Sequence, residues 1–190
     1  MIKKRRQLSE QYIIFDLEAT CWKNQHELME QEIIEIGAYK IDPTGEIIDE
    51  FDQLIRPVIH PSLSNFCQEL TGIEQSQVNG AQVFDVVFQQ FYDWIAPFEY
   101  DSQLLSWGSK DYKLIRQQCR NENIDLGWMK YGDLKGAYRQ LVGLSRSIGL
   151  ARALKNEGIE FEGDMHNALD DSYNLSLLFV KYLHQWSKYT

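Results

Sequence analysis

The sequence predicts an α/β fold: a mixed central sheet of about five strands, the first three antiparallel, with helices packed against it. Three observations predict it. Strand-like runs and tight turns fill the first third of the chain. Beyond residue 81, helical periodicities alternate with short apolar runs. No repeat, low-complexity stretch or long linker divides the sequence, and no proline occurs beyond Pro97.

Residues 12–17 read as the first strand and residues 33–41 as the second. The turn Asp42-Pro43-Thr44-Gly45 then leads into a third strand over 46–55. So short a link makes the second and third strands antiparallel. Residues 57–61 form a loop, and a short helix over 64–70 is stopped by Thr71-Gly72. Over 81–95, Val83, Val87, Phe91, Trp94 and Ile95 recur at helical spacing. A short buried strand over 103–106 precedes a helix over 111–121, and residues 128–131 form a further strand. Helices cover 134–142 and 148–157. The final helix spans 171–186, where Leu175, Leu178, Tyr182 and Trp186 line up with Asp171 as a stripe facing the sheet.

A chain of 190 residues, 44% hydrophobic and 25% charged, has the size and composition of one ordered domain. That domain is expected over 11–190, after an N-terminal extension over 1–10. Cys21, Cys67 and Cys119 are too few and too scattered for a disulfide framework or a thiolate zinc site, so a reducing cytoplasm is expected. The basic start leads into an apolar run of three residues before Asp16 interrupts it, which excludes a signal peptide, and no run approaches a membrane span. The net charge of −9 excludes a protein that coats nucleic acid by bulk electrostatics. Carboxylates gathered around divalent cations would account for part of it. Basic residues are local: Lys110, Lys113, Arg116 and Arg120 share one helix, and Arg139, Arg146, Arg152 and Lys155 follow. They fit a nucleic-acid contact and an ordinary solvated surface equally well.

The chemistry begins on the first strand. Tyr12, Ile14, Asp16 and Glu18 point to one face and Ile13, Phe15, Leu17 and Ala19 to the other, so the strand is central and two carboxylates emerge together at its end. Leaving both ionised without a cation would be costly, and a divalent metal resolves that cost. A strand running out into solvent would also end this way. Asp171 points inward from the start of the last helix, where it fits either a metal ligand or a cap, whereas Asp170 lies about a hundred degrees round and looks away. His166, in GDMHNALDDS, belongs to the residue type best matched to taking a proton from water at neutral pH, although a lone histidine is often structural. Asp111, in LLSWGSKDYKLI, starts a helix after a buried strand and is the fourth candidate, with capping as its alternative role.

In this order the sites resemble the three exonuclease motifs of the DEDDh family, whose fold is similar to that of ribonuclease H. FDLEATCW (15–22) carries the first motif, WGSKD (107–111) the second and HNALDD (166–171) the third. Within that family the chain is similar to the branch of histone-mRNA and small-RNA 3′ exonucleases and the bacterial sporulation-inhibitor-type relatives. The narrower likeness rests on FDLEATCW, EIIEIGA (32–38), Arg56-Pro57, LSNFCQELTGI (63–73) and IEFEG (159–163). Two departures stand out: Asp164-Met165 lengthens the approach to His166, and Trp107-Gly108 replaces the Asn-containing second motif of proofreading nucleases. No further RNA-binding domain is expected before the nuclease core.

The resemblance implies a metal-dependent 3′ to 5′ exonuclease that trims single-stranded nucleic acid, RNA in preference to DNA, from a free 3′ end to nucleoside 5′-monophosphates. It implies two Mg²⁺ ions roughly 4 Å apart, with Mn²⁺ able to substitute. Asp16 would bridge both, Glu18 and Asp171 would complete the first site, and Asp111 would act through water at the second. His166 would be the general base. Ala19 and Thr20, by their backbone, and Trp22 or Phe66, by stacking, are the expected substrate contacts. A DNA exonuclease and a regulatory or binding protein on the same fold are the alternatives. No membrane partner is expected, and the oligomeric state is left open.

Overall fold

The structure is a computed structural model and describes residues 9–23 and 29–186. Among these residues five strands, β1 (Ser9–Ala19), β2 (Ile33–Ile41), β3 (Ile47–Leu54), β4 (Tyr100–Ser106) and β5 (Lys130–Asp133), form one sheet in the order β3-β2-β1-β4-β5. The pairs β1/β2 and β2/β3 are antiparallel, and β1/β4 and β4/β5 are parallel. The helices are α1 (Asn65–Thr71), α2 (Gln75–Gly80), α3 (Phe84–Ile95), α4 (Lys110–Asn121), α5 (Leu134–Leu141), α6 (Leu150–Asn156) and α7 (Ala168–Lys181).

The alternation of β1 sets the layering. Ile13, Phe15 and Leu17 pack into one core with Phe84, Val87, Phe88 and Phe91 of α3 and Leu114, Ile115 and Cys119 of α4. Ile14 faces the other core, built on Leu134, Ala137 and Tyr138 of α5, Ala153 and Leu154 of α6, and Leu175, Leu178 and Phe179 of α7. Both faces of β1 are therefore covered, as its sequence requires. Between β2 and β3, the Asp42 carboxylate accepts the amides of Thr44 at 2.8 Å and Glu46 at 3.0 Å, while Gly45 adopts φ 93° to close the turn. Ser64 caps α1 by accepting from the Cys67 amide, and Gly72, at φ 71°, ends it in the left-handed region.

The structure departs from the sequence-based expectations at four places. Ser9 and Glu10, expected in an N-terminal extension, already belong to β1 and pair with Tyr100 and Asp101, which starts β4 earlier than residue 103; residues 1–8 lie outside the described part. The short helix α2 was not anticipated, and it is held by a capping box between Glu74 and Gln77. β5 begins at Lys130 because Trp128 turns instead to rings of α3, Phe88 and Tyr92. α7 starts at Ala168, where the Asn167 side chain accepts from the Asp170 amide, and stops at Lys181 rather than Trp186. The Trp186 ring stacks on Phe179 with centroids 6.1 Å apart. Seven residues of continuous helix would separate those positions by about 10.5 Å, so the chain turns back.

Candidate active site

β1 places Asp16 and Glu18 on the face shared with Tyr12 and Ile14, at the end of the strand where it leaves the sheet. β4 runs parallel to β1, so its end comes out on the same side and the loop after Ser106 carries the chain into α4 there. Asp111 lies in the first turn of α4. That loop is braced from below: the Ser106 hydroxyl and the Tyr131 hydroxyl both donate to the Gly108 carbonyl, at 2.9 and 2.6 Å. Tyr131 in turn stacks flat on Tyr112 at 4.4 Å.

α7 brings the remaining groups. Gly37, paired with Asp16 in the β1/β2 ladder, leaves β2 bare where α7 begins, and a Cβ there would lie 2.2 Å from the carbonyl carbon of Ala168. Close approach of strand and helix is what requires glycine. The first turn of α7 therefore rests directly on β2, and Asp171 in that turn is partly buried. His166 takes φ 66°, in the left-handed region, and its backbone amide donates to Oδ2 of Asp171 at 3.0 Å. Asp170 turns back to the preceding loop, accepting from the Asp164 amide at 2.8 Å.

Ligand atoms of Glu18, His166 and Asp171 lie within 4.8 Å of one another. Burial holds the Asp16 carboxyl well above its ordinary range, and the charges of Asp111, Asp171, Glu18 and Glu35, in that order, push it further. Burial, then Glu35 and Asp171, raise Glu18 to about 9. Asp111 is raised by burial to about 6 against the opposing pull of the Ser106 hydroxyl and of Lys110, and Asp171 is raised by burial against its hydrogen bond from His166. Asp16 thus lies close enough to Glu18, Asp111 of α4 and Asp171 of α7 to feel the charge of all three, although β1, α4 and α7 are far apart in the chain. Their mutual repulsion is what a divalent cation relieves, and an oxygen-rich set with one imidazole suits a hard cation better than zinc. The donor set therefore fits divalent metal.

Trp22 is half-buried and meets His60 edge-on at 5.0 Å, and half-buried Phe66 packs beside Cys67 in a third core. Ala19 ends β1, and its carbonyl accepts from the Cys67 thiol. The polar groups of Thr20 are engaged internally: its amide donates to Glu32, its hydroxyl accepts from the Glu32 amide, and its carbonyl accepts from Gln31. Lys110, exposed at the start of α4, is near enough to lower the proton affinity of both Glu18 and Asp111. Glu35, which is not among the candidates the sequence suggests, accepts the Ala168 amide with its carboxylate on β2 at 3.0 Å. A charged residue within the apolar run Ile33, Ile34, Ile36 and Ala38 was the available signal.

Residues 13–179 match the family model described as exonuclease. The chain is 35% identical to ERI1 exoribonuclease 2 of Xenopus laevis, over 92% of its own length and 28% of that protein's. It is 34% identical to the 3′-5′ exoribonuclease 1 of Homo sapiens, over 90% of its length and 51% of the relative's. It thus spans between about three-tenths and one half of these relatives. Among solved structures it superposes with a TM-score of 0.87 on the nuclease domain of 3′hExo, described as a DEDDh family member bound to rAMP, at 32% identity over 93% of this chain and 92% of that one. The ribonuclease H-like sheet expected from the motifs is the sheet these proteins share. With one family model running from β1 to α7 and this degree of likeness, the chain belongs to the exonuclease family, among the DEDDh 3′ to 5′ exonucleases.

Proposed function

We propose that this chain hydrolyses single-stranded nucleic acid from a free 3′ end, RNA in preference to DNA, releasing nucleoside 5′-monophosphates. Asp16, Glu18, Asp111, His166 and Asp171 are its catalytic set, with the four carboxylates as ligands for two Mg²⁺ ions that Mn²⁺ can replace. The observation that carries the reading is the convergence of Glu18, His166 and Asp171 within 4.8 Å beside Asp16, at the end of β1 that α4 and α7 also reach. When bound, the cations stabilise charge on the attacking and leaving oxygens of the phosphodiester.

The protein's own groups do the rest. Asp16, Glu18 and Asp171 would hold one cation, and Asp16 with Asp111 would hold the other. His166, exposed beside Asp171, takes a proton from the attacking water on a ring nitrogen. Its backbone bond to Asp171 fixes where the imidazole starts from. Trp22 and Phe66 offer faces for the terminal bases, with the Ala19 and Thr20 backbone forming the floor. Stacking of this kind tolerates any sequence and contributes roughly 1–3 kcal/mol per base. RNA preference is supported by the relatives, two of which are named exoribonucleases, and by the histone mRNA stem-loop named for a further structural neighbour. Three free, buried cysteines support a reducing compartment such as the cytoplasm, and no helix among the described residues is long and apolar enough to cross a membrane.

The test is degradation of an end-labelled single-stranded RNA and a DNA of the same sequence, with Mg²⁺ or Mn²⁺ and with EDTA. Ladders shortening from the 3′ end, faster on RNA and abolished by EDTA, are expected. Faster loss of DNA would reverse the substrate preference. Full activity of Asp16→Ala would overturn the assigned site, and a chain inert toward both substrates would turn the reading toward a binding role.

A further inference from the structure

Glu35 sits in an unlikely place for a charge. Its neighbours along β2, Ile33, Ile34 and Ile36, are fully buried, and Glu35 itself is only 3% exposed. Burying a carboxylate is costly unless it is bonded, and it faces further carboxylates here: Glu18 stands opposite it in the ladder, and Glu35 is the largest source of repulsion on Glu18. An apolar side chain of similar size would pack without that repulsion. What the carboxylate gains among the described residues is a buried hydrogen bond from the Ala168 amide to its Oε2, joining positions 133 residues apart.

Ala168 is the first residue of α7, so its amide is one of the unsatisfied donors at the helix start. The local cap, Asn167, serves the Asp170 amide instead. Glu35 therefore acts as a second cap reaching in from the sheet, placed where the helix dipole favours negative charge. Two residues further along β2, Gly37 allows the helix backbone into contact. One contact draws the first turn of α7 down and the other lets it seat. That turn carries Asp171, and Asp171 holds the His166 backbone.

We propose that Glu35 is a positioning residue: it locks the first turn of α7 onto β2, so that Asp171 and His166 stand beside Glu18 at the separation catalysis needs. The inference rests on the nuclease reading above and extends it to a group outside the five-residue set. The bond from the Ala168 amide uses one oxygen, so an amide in place of the acid, which keeps an acceptor oxygen, preserves the function.

The experiment compares Glu35→Ala, Glu35→Leu and Glu35→Gln with the wild type on labelled single-stranded RNA, and measures Mn²⁺ binding by calorimetry on each. Loss of an outer partner that orients a ligand weakens metal binding or turnover by about 10–100-fold. Glu35→Ala and the space-filling Glu35→Leu are expected to lose that much in kcat and in Mn²⁺ affinity, with KM for RNA within about threefold of the wild type. Glu35→Gln, which keeps the acceptor, is expected to regain most of both. Wild-type turnover and Mn²⁺ affinity in Glu35→Leu would overturn the proposal. So would a Glu35→Gln protein as impaired as Glu35→Leu, because charge rather than the bond to Ala168 would then matter. Should the wild type bind Mn²⁺ but cleave neither RNA nor DNA, the nuclease reading fails alone, and the Mn²⁺ affinities of Glu35→Leu and Glu35→Gln still decide whether Glu35 holds Asp171 in place.

Discussion

Glu18 of β1 and Glu35 of β2 stand directly opposite each other in the antiparallel ladder, both buried. Opposed residues share a face of the sheet with Cβ atoms about 5 Å apart, so their charges are felt strongly. Glu35 adds to burial in lifting Glu18 to about 9, and burial lifts Glu35 itself to about 7. The folded chain therefore holds protons that an unfolded one, with glutamates near 4.5, has released.

The pH dependence of the metal-free protein follows in sign. The stability tied to these two groups is complete below about 4.5 and is lost as pH rises through about 7 and then about 9. Thermal unfolding in EDTA is expected to show a falling midpoint across that window. Mg²⁺ or Mn²⁺, if the ionised carboxylates hold them as proposed, are expected to raise the midpoint most at the alkaline end. A midpoint that climbs with pH in EDTA would contradict the crowding.

Asp16→Asn separates stability from function. Asp16 feels Asp111, Asp171, Glu18 and Glu35 together, and the amide removes that repulsion at nearly constant shape. The metal-free variant is expected to melt about 2–5 °C higher than the wild type at neutral pH. Its nuclease rate is expected to fall at least about a hundredfold. Differential scanning fluorimetry with a parallel RNA assay reads both, and a variant that melts lower in EDTA would count against the charge cluster.

Gly37→Ala tests how closely α7 seats. The added methyl would begin 2.2 Å from the Ala168 carbonyl carbon and from the Leu169 nitrogen, both backbone atoms with no rotamer to yield. A destabilisation of about 1–3 kcal/mol is expected by urea titration, as for overpacked cores, together with loss of RNA cleavage. Wild-type stability would show that the helix start has room to move.

Gly163→Ala acts on the loop before His166. Gly163 holds φ 80°, and an added Cβ would lie 2.3 Å from Oδ2 of Asp170, the oxygen that accepts the Asp164 amide. A side chain in that conformation costs about 1–2 kcal/mol. Cleavage is expected to drop at least about tenfold, because a small misplacement of a reacting group is expensive. Unchanged kcat would mean that His166 keeps its place without this turn.

Much of this was legible in the chain. The alternation over Tyr12 to Glu18 gave both the central strand and the shared face of Asp16 and Glu18, because a period of two leaves no freedom. The stripe from Asp171 through Leu175 and Leu178 oriented α7 correctly, as helical geometry does. What escaped depended on contacts remote in sequence. The end of α7 is set by Trp186 folding back on Phe179, although residue 186 falls in helical register with Asp171. α2 is six residues long, too short for a period to register, and only Glu74 with Gln77 marked it. Glu35 looked like part of a buried strand, because its partner at Ala168 lies beyond any local pattern.

The late place of α7 in the chain order also bears on synthesis. β1, with Asp16 and Glu18, is made before the other described elements, whereas His166 and Asp171 follow only after all five strands of the sheet. Domains fold as their chain becomes available, and contacts this distant form last. The proposed site is therefore completed only once α7 has been made and has seated on β2, so a chain with α7 undocked is expected to lack the cluster of Glu18, His166 and Asp171.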